Sequence, residues 1–106
     1  MKKSANVNSL VKHIVSTVEP DKIILFGSRA RGDNRPDSDY DLLIIKKKLK
    51  DTHKLTTTLY KTFFMENIYA PVDLLAINYD RYNELKDDVG YIYRTISREG
   101  KVLYER

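Results

Sequence analysis

The sequence predicts an α/β domain of the α+β kind, with one mixed β-sheet of about four strands and flanking helices. Three short apolar runs have the length of buried strands, and two longer segments repeat apolar residues at helical spacing. Helical segments and apolar runs alternate along the chain, so they can share one core. We therefore expect residues 1–106 to form a single domain.

The first predicted element is a helix that begins after Asn8, because asparagine caps helix N-termini well. It ends before Pro20, which cannot continue the hydrogen-bond pattern. Its apolar stripe consists of Leu10, Val11, Ile14, Val15 and Val18.

A buried strand over residues 22–26 follows, because this run is apolar almost throughout and ends at Gly27. We expect Ser28 to cap a brief helix that Gly32 closes. Residues 33–38 are polar, contain Pro36 and predict a turn segment.

The second strand is predicted to begin at Asp39 and to centre on residues 42–45. Asp51 or Thr52 then caps a longer helix. The buried stripe of this helix is predicted at Leu55, Leu59 and Phe63.

The third strand is predicted over residues 71–77, and Pro71 can begin it because the first position needs no ladder donor. A short helix then runs from Asn78 to about Lys86. A second helix covers residues 90–99, Gly100 ends it, and residues 102–104 form a terminal strand. The apolar stripe of the second helix is predicted at Val89, Ile92, Tyr93 and Ile96.

Composition excludes several classes of protein. There is no cysteine, which excludes disulfides and thiolate metal sites. Apolar runs are far shorter than the ~20 residues of a membrane span, and the N-terminal residues lack the apolar core of a signal peptide. We therefore expect a cytoplasmic protein with no membrane partner.

The net charge of +4 favours acidic partners without saying which kind. The densest basic run, residues 46–50, is predicted to be a solvated connection between a strand and a helix. Because the excess charge is modest and a recognised nucleic-acid motif is lacking, direct nucleic-acid binding is not expected.

Three aspartates are the candidate catalytic residues. Asp39 and Asp41 alternate along a strand, so their side chains share a face with Cα atoms about 6.5–7 Å apart. Two such carboxylates can hold Mg²⁺ together with substrate phosphate oxygens. Asp73 lies in the apolar third strand and joins them if the two strands are neighbours. Three carboxylates on one face suit phosphoryl or nucleotidyl transfer.

The turn at Gly27-Ser28 is a candidate phosphate site. Gly27 permits a tight turn, and Ser28 offers a hydroxyl and a backbone N–H at the start of a helix. Arg29, Arg31 and Arg35 add charge suited to phosphate oxygens. The segment lacks the Gly-Lys-Ser/Thr ending of a P-loop, so it predicts a different phosphate-binding device.

The combination of these motifs resembles the DNA polymerase β-like nucleotidyltransferase superfamily. Gly27-Ser28 is followed after ten residues by Asp39-x-Asp41, and Asp73 stands on a later strand. More narrowly, residues 25–32 and 35–43 are similar to the minimal nucleotidyltransferases, many of which are MntA-type antitoxins paired with a HEPN-domain ribonuclease toxin. The resemblance extends over most of the chain.

This resemblance implies a single-domain nucleotidyltransferase fold and a role for each candidate residue. Gly27 and Ser28 would contact the triphosphate of ATP, with Arg29 as a weaker candidate. Asp39 and Asp41 would ligate Mg²⁺, and Asp73, placed in the same metal site, would be the general base. The implied reaction transfers AMP from ATP to a tyrosine hydroxyl of the HEPN toxin, in a hetero-oligomer with that toxin.

Two alternatives remain open at this stage. The protein could be a non-catalytic antitoxin that masks the toxin by binding, or a small-molecule nucleotidyltransferase of the aminoglycoside kind. The sequence has no additional acceptor-binding domain of the kind that larger relatives use, and this favours a partner protein as the acceptor.

Overall fold

The computed structural model describes residues 3–4, 6–69 and 71–106. Its helices and strands alternate along most of the chain. In chain order the elements are β1 (Lys3–Ser4), α1 (Val7–Val18), β2 (Lys22–Phe26), α2 (Ser28–Arg31), β3 (Tyr40–Lys46), α3 (Thr52–Met65), β4 (Ile68–Tyr69), β5 (Val72–Asn78), α4 (Tyr79–Leu85), α5 (Ile92–Glu99) and β6 (Lys101–Glu105).

In the part of the chain that the structure describes, the main sheet has four strands in the order β5-β3-β2-β6. β3 runs antiparallel to β2 and parallel to β5, and β2 runs antiparallel to β6. The sheet is therefore mixed, and the predicted fold class is confirmed.

Both faces of the sheet are covered. Alternate side chains of β2 and β3 point to opposite faces, so the continuous apolar run of residues 42–45 is buried on both sides. One face packs on α1 and α3 through Leu10, Ile14, Leu55, Leu59 and Phe63. The other face packs on α4 and α5 through Tyr82, Leu85 and Ile96.

Helix α1 begins two residues earlier than predicted. Asn6 is its N-cap and accepts a hydrogen bond from the Ser9 N–H at 2.9 Å, so the prediction of Asn8 as the cap is wrong. Both asparagines suit the position by type, and the spacing to Ser9 selects the earlier one. The helix ends at Glu19 in the left-handed conformation, just before Pro20.

The helix starts predicted at Asp51 or Thr52 and at Asn78 are confirmed, and the structure selects Asp51 at the first of them. Asp51 caps α3 and accepts a hydrogen bond from the Lys54 N–H at 2.9 Å. Asn78 caps α4 by accepting from Asp80 and Arg81. The predicted stripe of α3 is buried.

Helix α5 differs from its prediction at the N-terminal end. It begins at Ile92, because Gly90 and Tyr91 donate to the side chain and the carbonyl of Asp88 in a preceding turn. The predicted stripe is therefore only half correct. Ile96 is buried, but Val89 is 78% exposed and Ile92 is 51% exposed.

The sequence also did not predict a small second sheet, in which β1 pairs with β4 in parallel. Two residues per strand are too few to produce a periodic pattern.

Among the described residues, no helix has both the length and the apolar character needed to cross a lipid bilayer.

Candidate active site

Gly27 closes β2 in a conformation that only glycine adopts readily, with φ +73° and ψ −158°. A Cβ at this position would collide with Oδ2 of Asp41 and would lie 3.1 Å from its Cγ. The predicted phosphate turn therefore lies directly against one of the predicted metal-binding carboxylates.

Gly27, and not Ser28, is the N-cap of α2, so the prediction of Ser28 as the cap is wrong. Ser28 is the first helical residue. The Gly27 carbonyl accepts the N–H groups of Ala30 and Arg31 at 3.1 Å, which places the amides of Ser28 and Arg29 before the first bonded turn. These two amides are free of intrahelical bonds by position, as a phosphate-binding turn requires.

The sheet register brings two of the three aspartates side by side. Asp41 pairs with Phe26 of β2 on one side and with Asp73 of β5 on the other. Neighbouring strands lie about 4.8 Å apart, so the two carboxylates can approach one ion. Asp39 lies one residue before β3, which begins at Tyr40 and not at Asp39 as predicted.

The charges of the other two aspartates act on Asp41. Burial raises the pKa of the Asp41 carboxyl, and the charges of Asp73 and Asp39 raise this pKa further, while Arg31 lowers it. Like charges held this close repel one another unless a cation lies between them. The arrangement therefore favours cation binding.

The oxygen donors suit Mg²⁺, which takes one or two protein carboxylates and completes its octahedron with water and substrate phosphates. Within the described ranges, no three or more histidine, cysteine, aspartate or glutamate side chains are grouped so that they could hold a metal ion. A site completed by the triphosphate does not need such a group. Magnesium coordination by Asp39, Asp41 and Asp73 stays a prediction.

Arg29 contacts the turn segment of residues 33–38, which leads into β3. Its Nε donates to the Ser38 carbonyl at 2.8 Å and its Nη2 to the Pro36 carbonyl at 3.1 Å, while its guanidinium lies 4.2 Å from the centre of the Tyr40 ring. These contacts hold the segment that precedes Asp39. The predicted contact of Arg29 with a triphosphate stays a prediction.

Tyr40 itself faces away from the aspartates, as its alternation with them predicts. It packs against the core formed with α1 and α3, whereas Asp41 is in register with Asp73 at the opposite face. The residue between the two aspartates therefore supports the sheet and stays out of the site.

The sequence predicts Arg31 only as one of three arginines whose charge suits phosphate oxygens, and the structure places it beside Gly27. Its charge acts on Asp41, and its side chain, 45% exposed, lines a cavity beside Gly27. Its spacing is a second signal, because a residue three positions after Ser28 lies on the same side of a helix. Its Nε also contacts Asp33 Oδ2 at 3.2 Å.

Comparisons with known proteins agree with this geometry. The family model of polymerase beta nucleotidyltransferases matches residues 8–106. A comparison with curated proteins finds no match. Several solved structures match over most of this chain.

Three of these structures show the shared fold at low identity. A protein from Sulfolobus solfataricus described as a nucleotidyltransferase is 22% identical, with a TM-score of 0.62 over 92% of this chain and 76% of that chain. A toxin–antitoxin with AMP-PNP is 21% identical, with a TM-score of 0.66 over 96% and 75%. A mutant of the toxin–antitoxin MntA-HpeT is 19% identical, with a TM-score of 0.65 over 96% and 75%.

Proposed function

The chain belongs to the polymerase beta nucleotidyltransferase family, and we propose a specific reaction for it. With Mg²⁺, it transfers AMP from ATP to a tyrosine hydroxyl of a partner HEPN-domain ribonuclease and so acts as the antitoxin of that toxin. The observation that carries this proposal is the contact of Gly27 with Asp41, next to Asp73 in the sheet register.

Each residue has one task in this reaction. Gly27 and Ser28 bind the triphosphate through their turn, and Arg31 adds a positive charge beside it. Asp39 and Asp41 hold Mg²⁺, which neutralises phosphate charge when bound. The raised pKa of Asp41, caused by burial and by Asp73 and Asp39, supports this assignment, because a cation relieves that repulsion.

Asp73 is the general base. It is exposed at the N-terminal end of β5, where an acceptor hydroxyl can reach it. The carboxylate takes the hydroxyl proton as the oxygen forms a bond to the α-phosphorus of ATP. The bond between the α-phosphorus and the bridging oxygen breaks, and pyrophosphate leaves with that electron pair.

Two of the structural neighbours are toxin–antitoxins, and one of them holds AMP-PNP. They support a protein acceptor and a hetero-oligomer with a toxin for this chain. The HEPN identity of the partner rests on the resemblance of residues 25–43 to the minimal nucleotidyltransferases. The proposal includes the cytoplasmic location that the sequence predicts.

An antitoxin that acts by binding alone is the second candidate function. It is favoured by large apolar side chains that stand exposed on and after α3, which a partner could cover: Tyr60, Phe64, Met65 and Tyr69. In this case the partner would be silenced without a covalent change.

The test uses the product of the reading frame adjacent to that of this chain as the acceptor. The two proteins are incubated with ATP and Mg²⁺, and intact-mass and tandem mass spectrometry follow the partner. We expect the mass of one AMP on a partner tyrosine, and we expect the adduct to disappear with EDTA or with Asp41→Asn.

Asp37→Asn is the matched control, because Asp37 is exposed in the turn segment before the same strand. This variant should leave the adduct unchanged. An adduct that survives Asp41→Asn would refute the metal site. Silencing of the partner with no adduct would instead establish the binding-only function.

A further inference from the structure

Asp39 is held in place differently from the other two aspartates of the site. Asp41 lies within β3 and Asp73 within β5, and these two residues are partners in the sheet register. Asp39 is exposed and comes one residue before β3, whose register with β5 starts at Tyr40. Asp39 therefore precedes the backbone ladder of the sheet, and its position depends on the residues on either side of it.

Arg29 contacts both chain neighbours of Asp39. From α2, its Nε donates to the Ser38 carbonyl at 2.8 Å, and its guanidinium carbon lies 4.2 Å from the centre of the Tyr40 ring. Its Nη2 donates to the Pro36 carbonyl at 3.1 Å, so the turn segment is held at two points. One half-buried side chain thus restrains the residues on both sides of Asp39.

The turn segment has hydrogen bonds of its own, and Arg29 connects it to α2. The Ser38 N–H donates to the Arg35 carbonyl at 3.1 Å, and the Arg35 N–H donates to the Ser38 Oγ at 2.9 Å. These bonds set the shape of the turn. The two bonds from Arg29 set its position against α2, which directly follows the phosphate turn at Gly27. Arg29 therefore links that turn to the segment that leads to Asp39.

The guanidinium of Arg29 lies over a side chain that faces away from the aspartates. Tyr40 packs with the core formed with α1 and α3, on the face of the sheet opposite to Asp41. The same guanidinium donates to two backbone carbonyls, so its contacts are with the protein itself. This geometry favours an effect of Arg29 on the position of Asp39 over a contact with phosphates.

These contacts need the shape of an arginine as well as its charge. The guanidinium is planar and carries its donors in a fixed fork, so it can bond two carbonyls while it stacks on a ring. A lysine keeps the positive charge but offers a point charge on a flexible stem. Arg29→Lys therefore separates the fork and the stacking from the charge.

We propose that Arg29 is a positioning residue, which fixes Asp39 for Mg²⁺ binding by holding Ser38 and Tyr40. The proposal rests on the proposed function, in which Asp39 and Asp41 share the metal. Arg29 itself contacts neither the metal nor the nucleotide. Without its contacts, the Asp39 carboxylate would sample several positions, and the site would need more Mg²⁺ to fill.

Two measurements on Arg29→Lys test this role, and the first is NMR relaxation of the backbone amides in the protein without ligands. We expect the order parameters of Ser38 and Asp39 to fall from about 0.85 to below about 0.6, whereas that of Asp41, inside β3, stays unchanged. Arg98→Lys is the matched control, since Arg98 is exposed on α5, and it should change none of these values.

The second measurement is calorimetric titration with a non-hydrolysable ATP analogue, at a limiting and at a saturating concentration of Mg²⁺. We expect Arg29→Lys to weaken the analogue by about tenfold at limiting Mg²⁺ and by less than about twofold at saturation, because mass action fills the displaced metal site. Arg98→Lys should bind the analogue as the wild type does at both concentrations.

Two changes at Tyr40 test the same contact if Arg29→Lys fails to fold. Tyr40→Phe keeps the ring under the guanidinium and should match the wild type in both measurements. Tyr40→Leu keeps an apolar side chain toward the core but loses the ring face. It should loosen Asp39 and weaken the analogue at limiting Mg²⁺ by about two- to fivefold.

An Asp39 amide that is as rigid in Arg29→Lys as in the wild type would overturn the proposal. Analogue binding that weakens equally at both Mg²⁺ concentrations would also overturn it and would indicate direct contact of Arg29 with the phosphates. A Mg²⁺ requirement that stays at the wild-type value would do the same for the role in metal binding. If the wild type itself does not bind the analogue at saturating Mg²⁺, the proposed function is overturned as well, and Asp39 has no metal to hold.

Discussion

At the scale of single residues, the site depends on the contact between Gly27 and Asp41. The glycine conformation and the missing Cβ allow the carboxylate to sit against the turn. A sequence with Gly-Ser before an Asp-x-Asp motif predicts that both features serve one site. Their contact could not be predicted, because it depends on the antiparallel register that pairs Phe26 with Asp41.

Gly27→Ala should be more damaging than Gly32→Ala. Both replace a glycine with positive φ, but only the Cβ at position 27 meets Asp41, and no described atom lies within 4 Å of a Cβ at position 32. We expect Gly27→Ala to lower the free energy of unfolding by about 1–3 kcal/mol in urea denaturation and to abolish ATP-analogue binding. Gly32→Ala should keep that binding. Equal effects of the two changes on binding would contradict the contact.

Asp41→Asn should stabilise the protein in the absence of Mg²⁺. Burial, with Asp73 and Asp39, raises the pKa of Asp41 in the folded state. A raised pKa contributes stability that is fully present below the unfolded pKa and is lost as the pH rises through the folded pKa. The variant should therefore unfold at higher urea than the wild type at about pH 7, and the difference should vanish below about pH 4.

Two controls accompany this pH series. Asp37→Asn, in the exposed turn segment, should not reproduce the gain at about pH 7. Added Mg²⁺ should stabilise the wild type more than Asp41→Asn, because binding to the folded state alone raises its stability. A variant less stable than the wild type across the whole pH series would argue against repulsion at the site.

At the scale of elements, the caps and stripes show what local sequence can predict. Helix starts were predicted at Asp51 or Thr52 and at Asn78, because a clear helical pattern follows each of these positions. The start of α1 was misplaced, since Asn6 and Asn8 are equally suitable by type. The exposed Ile92 could not be predicted, because periodicity finds an apolar face without saying whether a protein side chain covers it.

The basic run that starts at the last residue of β3 includes a lysine with a structural contact. Lys46 Nζ donates to the carbonyls of Val18 at 2.8 Å and Glu19 at 3.1 Å, at the C-terminal end of α1. Lys46→Met should lower the free energy of unfolding by about 1–2 kcal/mol, since a charged donor to those carbonyls is lost. Lys50→Met, in the same run, should change it by less than about 0.5 kcal/mol. Equal losses in urea denaturation would refute the capping role.

At the scale of the whole molecule, the site joins the ends of three strands. The order β5-β3-β2-β6 places the start of β5, the start of β3 and the end of β2 at one end of the sheet. The sequence predicted the participating residues Gly27, Asp41 and Asp73, but it placed Asp73 beside Asp41 only if the second and third predicted strands are neighbours. Strand order is a tertiary property that local sequence does not reveal, and in the structure these two strands are neighbours.

The central claim is that Asp73 performs the proton transfer in AMP transfer, and Asp73→Asn tests it most directly. The rate of AMP attachment to the partner is measured beside the affinity for a Mg²⁺-bound ATP analogue. We expect the rate to fall by about 10²–10⁴-fold while the affinity stays within severalfold of the wild type. Transfer at the wild-type rate by Asp73→Asn would contradict this account.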